Sequence, residues 1–207
     1  LYRAEQVKKR LMPLWKNRHV CVDVKHILLL TLIRPIVEYG SEVWWPSTSR
    51  QIELLDKLQT DIVKCAMRCD HENPSSLAVL AEWGLKPMHM WLEERAIEYF
   101  FKVVRMPNHR MPKLALGASW SVTGDAGCLQ WQERVMGLLQ KYGIVHQVAM
   151  ADGYKCKRHV KQRMAAHFGD EMIVNTVSTS TLEHYLTYVQ PSLSSGVSFS
   201  APRPFLS

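Results

Sequence analysis

The sequence predicts an all-α fold, and three observations lead to this prediction. Apolar residues recur at spacings of three and four over most of the chain, which is the period of a helix with one buried side. Strand-like alternation is nearly absent, and residues 196–200 are too short and polar to count. Hydrophobic residues make up 47% and charged residues 22%, a globular composition. We expect a helical bundle, a second, smaller helical unit and a disordered C-terminal tail.

The first 25 residues predict an amphipathic helix with a basic side. Its apolar stripe is Ala4, Val7, Leu11 and Leu14, and Pro13 is expected to bend or end it. Seven lysines and arginines stand here against two acids. The basic side fits a solvated helix face or a phosphate-contacting face, because such side chains displace condensed counterions from a nucleic-acid backbone. The candidate contacts are Lys8, Lys9, Arg10, Lys16 and Arg18.

The apolar segment 27–45 predicts a central helix that is buried on every side. Pro35 removes a backbone donor, so the helix should kink or restart there. Gly40 suits the C-terminal cap, because glycine adopts a left-handed conformation without a Cβ penalty. Trp44 and Trp45 fit core packing, or a stacking face for a base.

A strongly periodic helix is predicted to follow. Thr48 and Gln51 have the spacing of a capping box, and the apolar period continues to about Cys69. The opposite side of this helix carries both signs of charge, so we expect it to be solvated. Its charged residues are Asp56, Lys57, Asp61, Lys64 and Arg68.

Two more helices are predicted before residue 107. Asn73 and Pro74 suit the cap and first position of a short helix that Gly84 ends. Pro87 then begins a long helix that runs to about Met106, where the pair Met106-Pro107 ends it.

The second half of the chain is also helical by pattern. Residues 107–126 contain two prolines and two glycines and are expected to be irregular. Helical spacing returns over 127–143, 154–168 and about 181–189. The Ser/Pro-rich residues 190–207 have little apolar content and predict a disordered tail.

A second basic cluster lies at residues 155–163, which contain five lysines and arginines and no acid. Lys157 and Lys161 are four residues apart and share a helix face, whereas Lys155, Arg158 and Arg163 do not all share one. The net charge of +7 and the pI near 9.2 favour an anionic partner. The candidate contacts of this cluster are Lys155, Lys157, Arg158, Lys161 and Arg163.

Patterns for catalysis and metal binding are missing. A two-metal polymerase site needs clustered carboxylates, and the chain has no Asp-Asp pair. Cys65, Cys69 and His71 resemble half of a zinc site, but no second ligand pair follows, so core cysteines are expected. Glu42 is expected to cap or pair locally. We expect no nucleophilic triad, no catalytic residue, no metal and no cofactor in this chain.

The order of the motifs resembles the region that follows the polymerase palm in reverse transcriptases of non-LTR (LINE-type) retrotransposons. The resemblance covers residues 1–115 well and the rest loosely. Its motifs are the apolar helix with Arg34-Pro35, Tyr39-Gly40-Ser41-Glu42 with Trp44, Gln59, Glu82-x-Gly84-Leu85-x-Pro87, Arg95, Met106-Pro107 and Arg110.

The resemblance implies a thumb and early post-thumb region. Residues 1–106 would form a thumb-like bundle, 107–126 a linker and 127–189 a second helical unit. The chain would hold an RNA template or RNA–DNA duplex through its backbone. A polymerase palm upstream of Leu1, which would use Mg²⁺, would perform the chemistry.

Two other interpretations remain open: an inert remnant of a degenerate element, and a helical protein-interaction module. Salt-dependent binding to duplexes would favour the nucleic-acid interpretation over both. The chain begins with Leu1 and shows no signal segment, so we expect a fragment or processed product. The apolar run is shorter than the roughly 20 residues of a membrane span, and five scattered cysteines suit a reducing compartment. An intracellular location, nuclear or cytoplasmic, is expected.

Overall fold

A computed structural model describes residues 1–44, 48–69, 74–121, 126–144 and 153–177. These residues form helices and no strand, so the predicted all-α fold is confirmed. In chain order the elements are α1 (Tyr2–Lys16), α2 (Val22–Leu28), a π-helical turn (Leu29–Ile33), α3 (Arg34–Glu38), α4 (Ser41–Trp44), α5 (Ser49–Met67), α6 (Ser76–Glu82), α7 (Met88–Val104), α8 (Met111–Ser121), α9 (Ala126–Lys141) and α10 (Gly153–Val177).

The chain divides into two compact units. The first comprises residues 1–39, 46–91 and 169–207, and the second comprises 40–45 and 92–168. In the part of the chain that the structure describes, no helix combines the length and apolar character that a membrane span requires.

Helix α1 packs against α5 and departs from the predicted apolar stripe at Leu14. Trp15 is fully buried, whereas Leu14 is 39% exposed. Ala4 is buried on the same side as Trp15, since the two are eleven residues, or three turns, apart. The prediction for Leu14 is wrong because the indole buries more apolar area than the leucine side chain. Pro13 lies inside α1 and does not end it.

The central apolar segment changes helix type just before Pro35, while the backbone stays helical across the junction. Pro35 occupies the first turn of α3, after the π-helical turn, and Gly40 adopts φ +68°. The prediction of burial on every side is wrong: Ile27 is 58% exposed and Tyr39 85%. Only the side of the segment that carries Leu29 and other buried residues packs into the first unit.

The predicted capping box of α5 is confirmed. The Thr48 hydroxyl accepts a hydrogen bond from the Gln51 backbone N–H, and the Gln51 side chain accepts one from the Thr48 N–H. Helix α5 ends at Met67, and Arg68 takes the left-handed conformation, φ +62°. The prediction of a solvated side is partly wrong, because Asp56 contacts His89 and Asp61 contacts Lys8.

Helices α6 and α7 differ from expectation only at their ends. Ser75 precedes α6 with a non-helical backbone, ψ 128°, so the predicted start at Pro74 is wrong by two residues. Asn73 lies outside the described residues. Gly84 has φ +64° and follows α6 as predicted, and α7 begins directly after Pro87.

Residues 111–121 form α8, so the prediction of an irregular segment is wrong there. Pro112 is the second residue of α8, where its missing N–H has no helical acceptor to lose. The Lys113 ammonium donates to the Val104 carbonyl near the end of α7. This bond satisfies a carbonyl that the end of a helix otherwise leaves unpaired.

Helices α9 and α10 supply apolar residues to the second unit, among them Val135, Leu139, Val160, Met164 and Phe168. Gly143 has φ +58° and follows α9 as predicted. Helix α10 continues through Gly169, because one glycine inside a helix costs only about 1 kcal/mol. The predicted helix at 181–189 and tail at 190–207 lie outside the described residues.

Candidate nucleic-acid interface

The exposed side of α1 carries two rows of cations. Lys9 and Lys16 are seven residues apart, so they stand two turns from each other on one flank of the helix. Arg3 and Arg10 have the same spacing on the other flank. All four side chains are exposed, and Trp15 anchors the opposite side of α1 in the core. Together with the exposed Arg18, these residues are called the α1 surface.

Lys8 does not belong to the α1 surface. Its ammonium lies 3.0 Å from a carboxylate oxygen of Asp61 on α5 and 3.6 Å from one of Glu5. The Lys8 side chain is 12% exposed. Lys8 therefore helps to fix α1 on α5, and the other four predicted α1-region cations remain on the exposed side.

Arg18 follows α1 in a short turn. The backbone N–H of His19 donates to the Asn17 side-chain oxygen at 2.8 Å. The Arg18 Nε donates to His19 Nε2 at 3.3 Å. The turn thus holds the exposed Arg18 close to the C-terminal end of α1.

The second predicted cluster is divided between two flanks of α10. Lys157, Arg158 and Lys161 are exposed, and Lys157 and Lys161 lie one turn apart as the spacing predicted. The Lys157 ammonium lies 3.7 Å from a carboxylate oxygen of Glu98 on α7. Lys155 belongs to α10, but its side chain is outside the described part of the structure.

Arg163 has a structural role on the other flank of α10. Its Nε donates to the Tyr142 carbonyl at 3.1 Å, just beyond the last residue of α9. Its guanidinium also lies directly against Gly143. A cation suits this position because the carbonyl end of a helix is electronegative. The exposed Arg163 therefore joins α10 to the end of α9, and its role as a phosphate contact stays a prediction.

Several motif residues of the resemblance form structural contacts that sequence reasoning missed. Arg95 donates to the Glu42 carboxylate at 2.6 Å, and the Trp131 indole N–H donates to the Glu42 carbonyl at 3.0 Å. Burial acts to raise the pKa of Glu42, but the hydrogen bond and charge of Arg95 hold it below its usual value. Glu42 is thus an ionised partner of Arg95, 53 residues away in sequence.

Arg34 and Gln59 are also tertiary contacts. The Arg34 guanidinium carbon lies 3.5 Å from the centroid of the Trp91 ring, within cation–π range. The buried Gln59 donates its side-chain N–H to the Lys86 carbonyl at 3.2 Å. This bond ties α5 to the segment between α6 and α7.

The cysteines of the apparent zinc half-site lie in packing positions. Cys65 is buried with its sulfur 3.5 Å from that of Met12, and the Cys69 thiol is 3.7 Å from the Lys64 carbonyl. Among residues with described positions, no group of three His, Cys, Asp or Glu is arranged to hold a metal ion. His71 lies outside that part of the chain.

Comparisons with known proteins found no relative. No protein-family model matches the chain, and searches of curated proteins and of solved structures also found no match.

Proposed function

We propose that this chain is the non-catalytic thumb and post-thumb region of a LINE-type reverse transcriptase. In this proposal it holds the primer–template nucleic acid, an RNA template or RNA–DNA duplex, through basic helix surfaces. The observation that carries the proposal is the α1 surface. Lys9, Arg10, Lys16 and Arg18 are exposed on or directly after a helix whose other side is fixed by Trp15.

The mechanism is electrostatic. Lysine and arginine side chains bind phosphate oxygens and release counterions, which gives affinity without reading the base sequence. Such contacts suit an A-like duplex, whose deep and narrow major groove is closed to side chains. Nucleotide addition would belong to an upstream palm that binds Mg²⁺, because a two-metal reaction needs carboxylates clustered around the ions.

Two features support the anchored geometry that this function needs. The Lys8–Asp61 ion pair joins α1 to α5 at 3.0 Å and leaves the neighbouring Lys9 and Arg10 exposed. Motif residues of the resemblance form specific contacts, Glu42 with Arg95 in the second unit and Gln59 with Lys86 in the first. The Lys8–Asp61 pair thus holds α1 on α5 with the cations of the α1 surface exposed.

The test is duplex binding as a function of salt. Fluorescence anisotropy of a labelled RNA–DNA duplex would be measured for the full chain and for a Lys9→Glu/Arg10→Glu variant. We expect the variant to lose at least about tenfold in affinity and to show a flatter salt dependence. A matched control reverses two exposed charges on α5, Arg50→Glu/Lys57→Glu, and should change binding much less. Equal losses in the two variants would contradict a localised α1 surface.

A second candidate function, a helical protein-interaction module, is favoured by one observation. Four apolar or aromatic side chains of the central segment are exposed: Val24, Ile27, Leu32 and Tyr39. Contiguous exposed apolar patches mark interaction sites for other proteins or membranes. If the wild-type chain fails to bind duplex at low salt, this function or an inert remnant replaces the proposed one.

A further inference from the structure

Two cations that the sequence reasoning left out lie at the C-terminal end of α7: Lys102 within the helix and Arg105 directly after its last residue, Val104. Lys102 and Arg105 are both exposed, and Glu98 precedes them by four and seven residues. These spacings place the three side chains on one side of the helix. The exposed side of the C-terminal half of α7 therefore presents two positive charges and one negative charge.

The same side of α7 lies beside the first turns of α10. Glu98 contacts the Lys157 ammonium at 3.7 Å. Lys102 and Arg105 follow Glu98 by about one and two helical turns, so they stand on the side of α7 that Lys157 contacts. Cations from the two helices are neighbours within the second unit.

We infer that Lys102 and Arg105 join Lys157, Arg158 and Lys161 in one basic surface, the α7–α10 surface, which binds the phosphate backbone of duplex nucleic acid. This inference rests on the proposed function and adds a second binding surface to it. Lys102 and Arg105 contact phosphates directly. Glu98 opposes binding, because it holds Lys157 and repels phosphate.

The surroundings of the α7–α10 surface favour nucleic acid over a membrane. Binding to a lipid surface combines cations with large apolar side chains that enter the headgroup region. Among the described residues of the second unit, the exposed large apolar side chains are Val43, Trp44, Met111, Leu114 and Met136, and none lies on the turns that carry the five cations. Exposed lysines and arginines spread over two helices match a chain of phosphates.

The experiment removes charge from α7 in the full chain. Duplex affinity and its salt dependence would be measured for Lys102→Gln/Arg105→Gln. We expect about tenfold weaker binding at low salt and a log–log salt slope reduced by about 2, one for each lost phosphate contact. The control Arg50→Gln/Lys57→Gln removes the same charge from exposed positions on α5 and should leave the slope unchanged.

A gain-of-binding variant separates this effect from loss of folding. Glu98→Gln releases Lys157 and removes the repulsion, so we expect at least about twofold tighter binding and a steeper salt dependence. Damage to the fold would not increase affinity. The Glu98→Gln result decides the inference if the α7 double variant fails to fold.

Three outcomes would overturn the inference, and they differ in what they say about the proposed function. In the first outcome, the wild-type chain binds duplex and Lys9→Glu/Arg10→Glu weakens this binding, but the α7 double variant and Glu98→Gln leave affinity and salt slope unchanged. This result would overturn the α7–α10 surface and leave the proposed function standing. If the wild-type chain shows no salt-dependent duplex binding, both proposals fail. If the α7 double variant loses binding to phosphatidylserine vesicles but keeps duplex binding, the surface serves a membrane.

Discussion

Asp56 on α5 accepts a hydrogen bond from the backbone N–H of His89 at 3.0 Å, and its second carboxylate oxygen lies 2.6 Å from His89 Nδ1. His89 is the second residue of α7. The carboxylate therefore satisfies an N–H that has no acceptor within α7 and places a negative charge at the helix N-terminus. A side chain from one helix caps another that begins 32 residues later.

Replacing Asp56 should destabilise the protein. Asp56→Ala removes both contacts with His89, and we expect the free energy of unfolding to fall by about 1–2 kcal/mol, the usual cost of a lost cap. Chemical denaturation monitored by circular dichroism would measure it. Glu53→Ala, at an exposed position of the same helix, is the control and should cost less than about 0.5 kcal/mol. Equal effects would show that the cap adds nothing to stability.

The orientation of α1 can be tested with two adjacent residues. Trp15→Ala should leave a cavity in the core and lower the unfolding free energy by about 3–5 kcal/mol, because Trp15 is fully buried. Leu14→Ala should cost less than about 1 kcal/mol, since Leu14 is 39% exposed. Thermal melts of both variants would measure the two losses of stability, and equal losses would contradict the burial of Trp15 in the core.

The sequence predicted contacts that depend on neighbours along the chain. Local backbone chemistry depends on only a few neighbouring residues, so it can be predicted from sequence. It accounts for the capping box of Thr48 and Gln51, the position of Pro35 in the first turn of α3 and the glycines after helices. Periodicity also identified most helices, since it reports burial along one side. For these reasons the all-α fold and the interior of α5 were predictable.

Contacts between distant residues were not predictable in the same way. In the sequence, nothing distinguishes Lys8 from the other cations of α1. Its role depends on Asp61, which is 53 residues later in the chain and accepts a hydrogen bond from its ammonium. The exposed Arg105 and Lys157 are likewise 52 residues apart, so no local pattern places them in one group. The candidate interface was predictable as two basic segments, whereas its members depend on tertiary packing.

The buried carboxylate of Glu93 should be the most sensitive acidic group of the second unit. It is 5% exposed, accepts a hydrogen bond from the Tyr142 hydroxyl and lies 3.0 Å from the Lys141 ammonium. Glu93→Ala removes the acceptor for two donors, so we expect the free energy of unfolding to fall by about 3 kcal/mol. Tyr142→Phe should lower it by about 1 kcal/mol.

A double-mutant cycle measures the Glu93–Tyr142 contact itself. We expect a coupling energy of about 1 kcal/mol or more from denaturant titrations of the two single variants and the double variant. Glu133→Ala removes an exposed acid from α9 and serves as the control with little effect. Strict additivity of Glu93→Ala and Tyr142→Phe would contradict a direct energetic contact.

Stability should fall as the pH decreases below about 6.5, in part because of His26. This side chain is 3% exposed and stacks on Trp83 with ring centroids 5.5 Å apart. Burial lowers the pKa of His26 from 6.5, and Asp23 offsets only part of this effect. The unfolded chain then binds a proton that the folded chain resists, so the free energy of unfolding rises with pH between the lowered pKa and 6.5.

Urea titrations at pH 7.5 and 5.5 would measure this dependence. The titration of one group changes the free energy of unfolding by at most about 1.4 kcal/mol per pH unit. His26→Phe preserves an aromatic ring against Trp83 and removes the titrating group, so its stability should change less over this range than that of the wild type. The prediction fails if the two proteins lose equal stability.

Two glycines of the second unit should respond to alanine in opposite directions. Gly143 has φ +58°, where an L-residue costs about 1–2 kcal/mol, and an added Cβ would collide with the Arg163 guanidinium. Gly143→Ala should therefore lower stability and displace Arg163 from the Tyr142 carbonyl. Gly137 lies inside α9 with no atom within 4 Å of an added Cβ, so Gly137→Ala should raise stability by about 0.5–1 kcal/mol. Thermal melts of both variants would show whether each melting temperature rises or falls. A higher melting temperature for Gly143→Ala would show that the turn after α9 does not require the left-handed conformation.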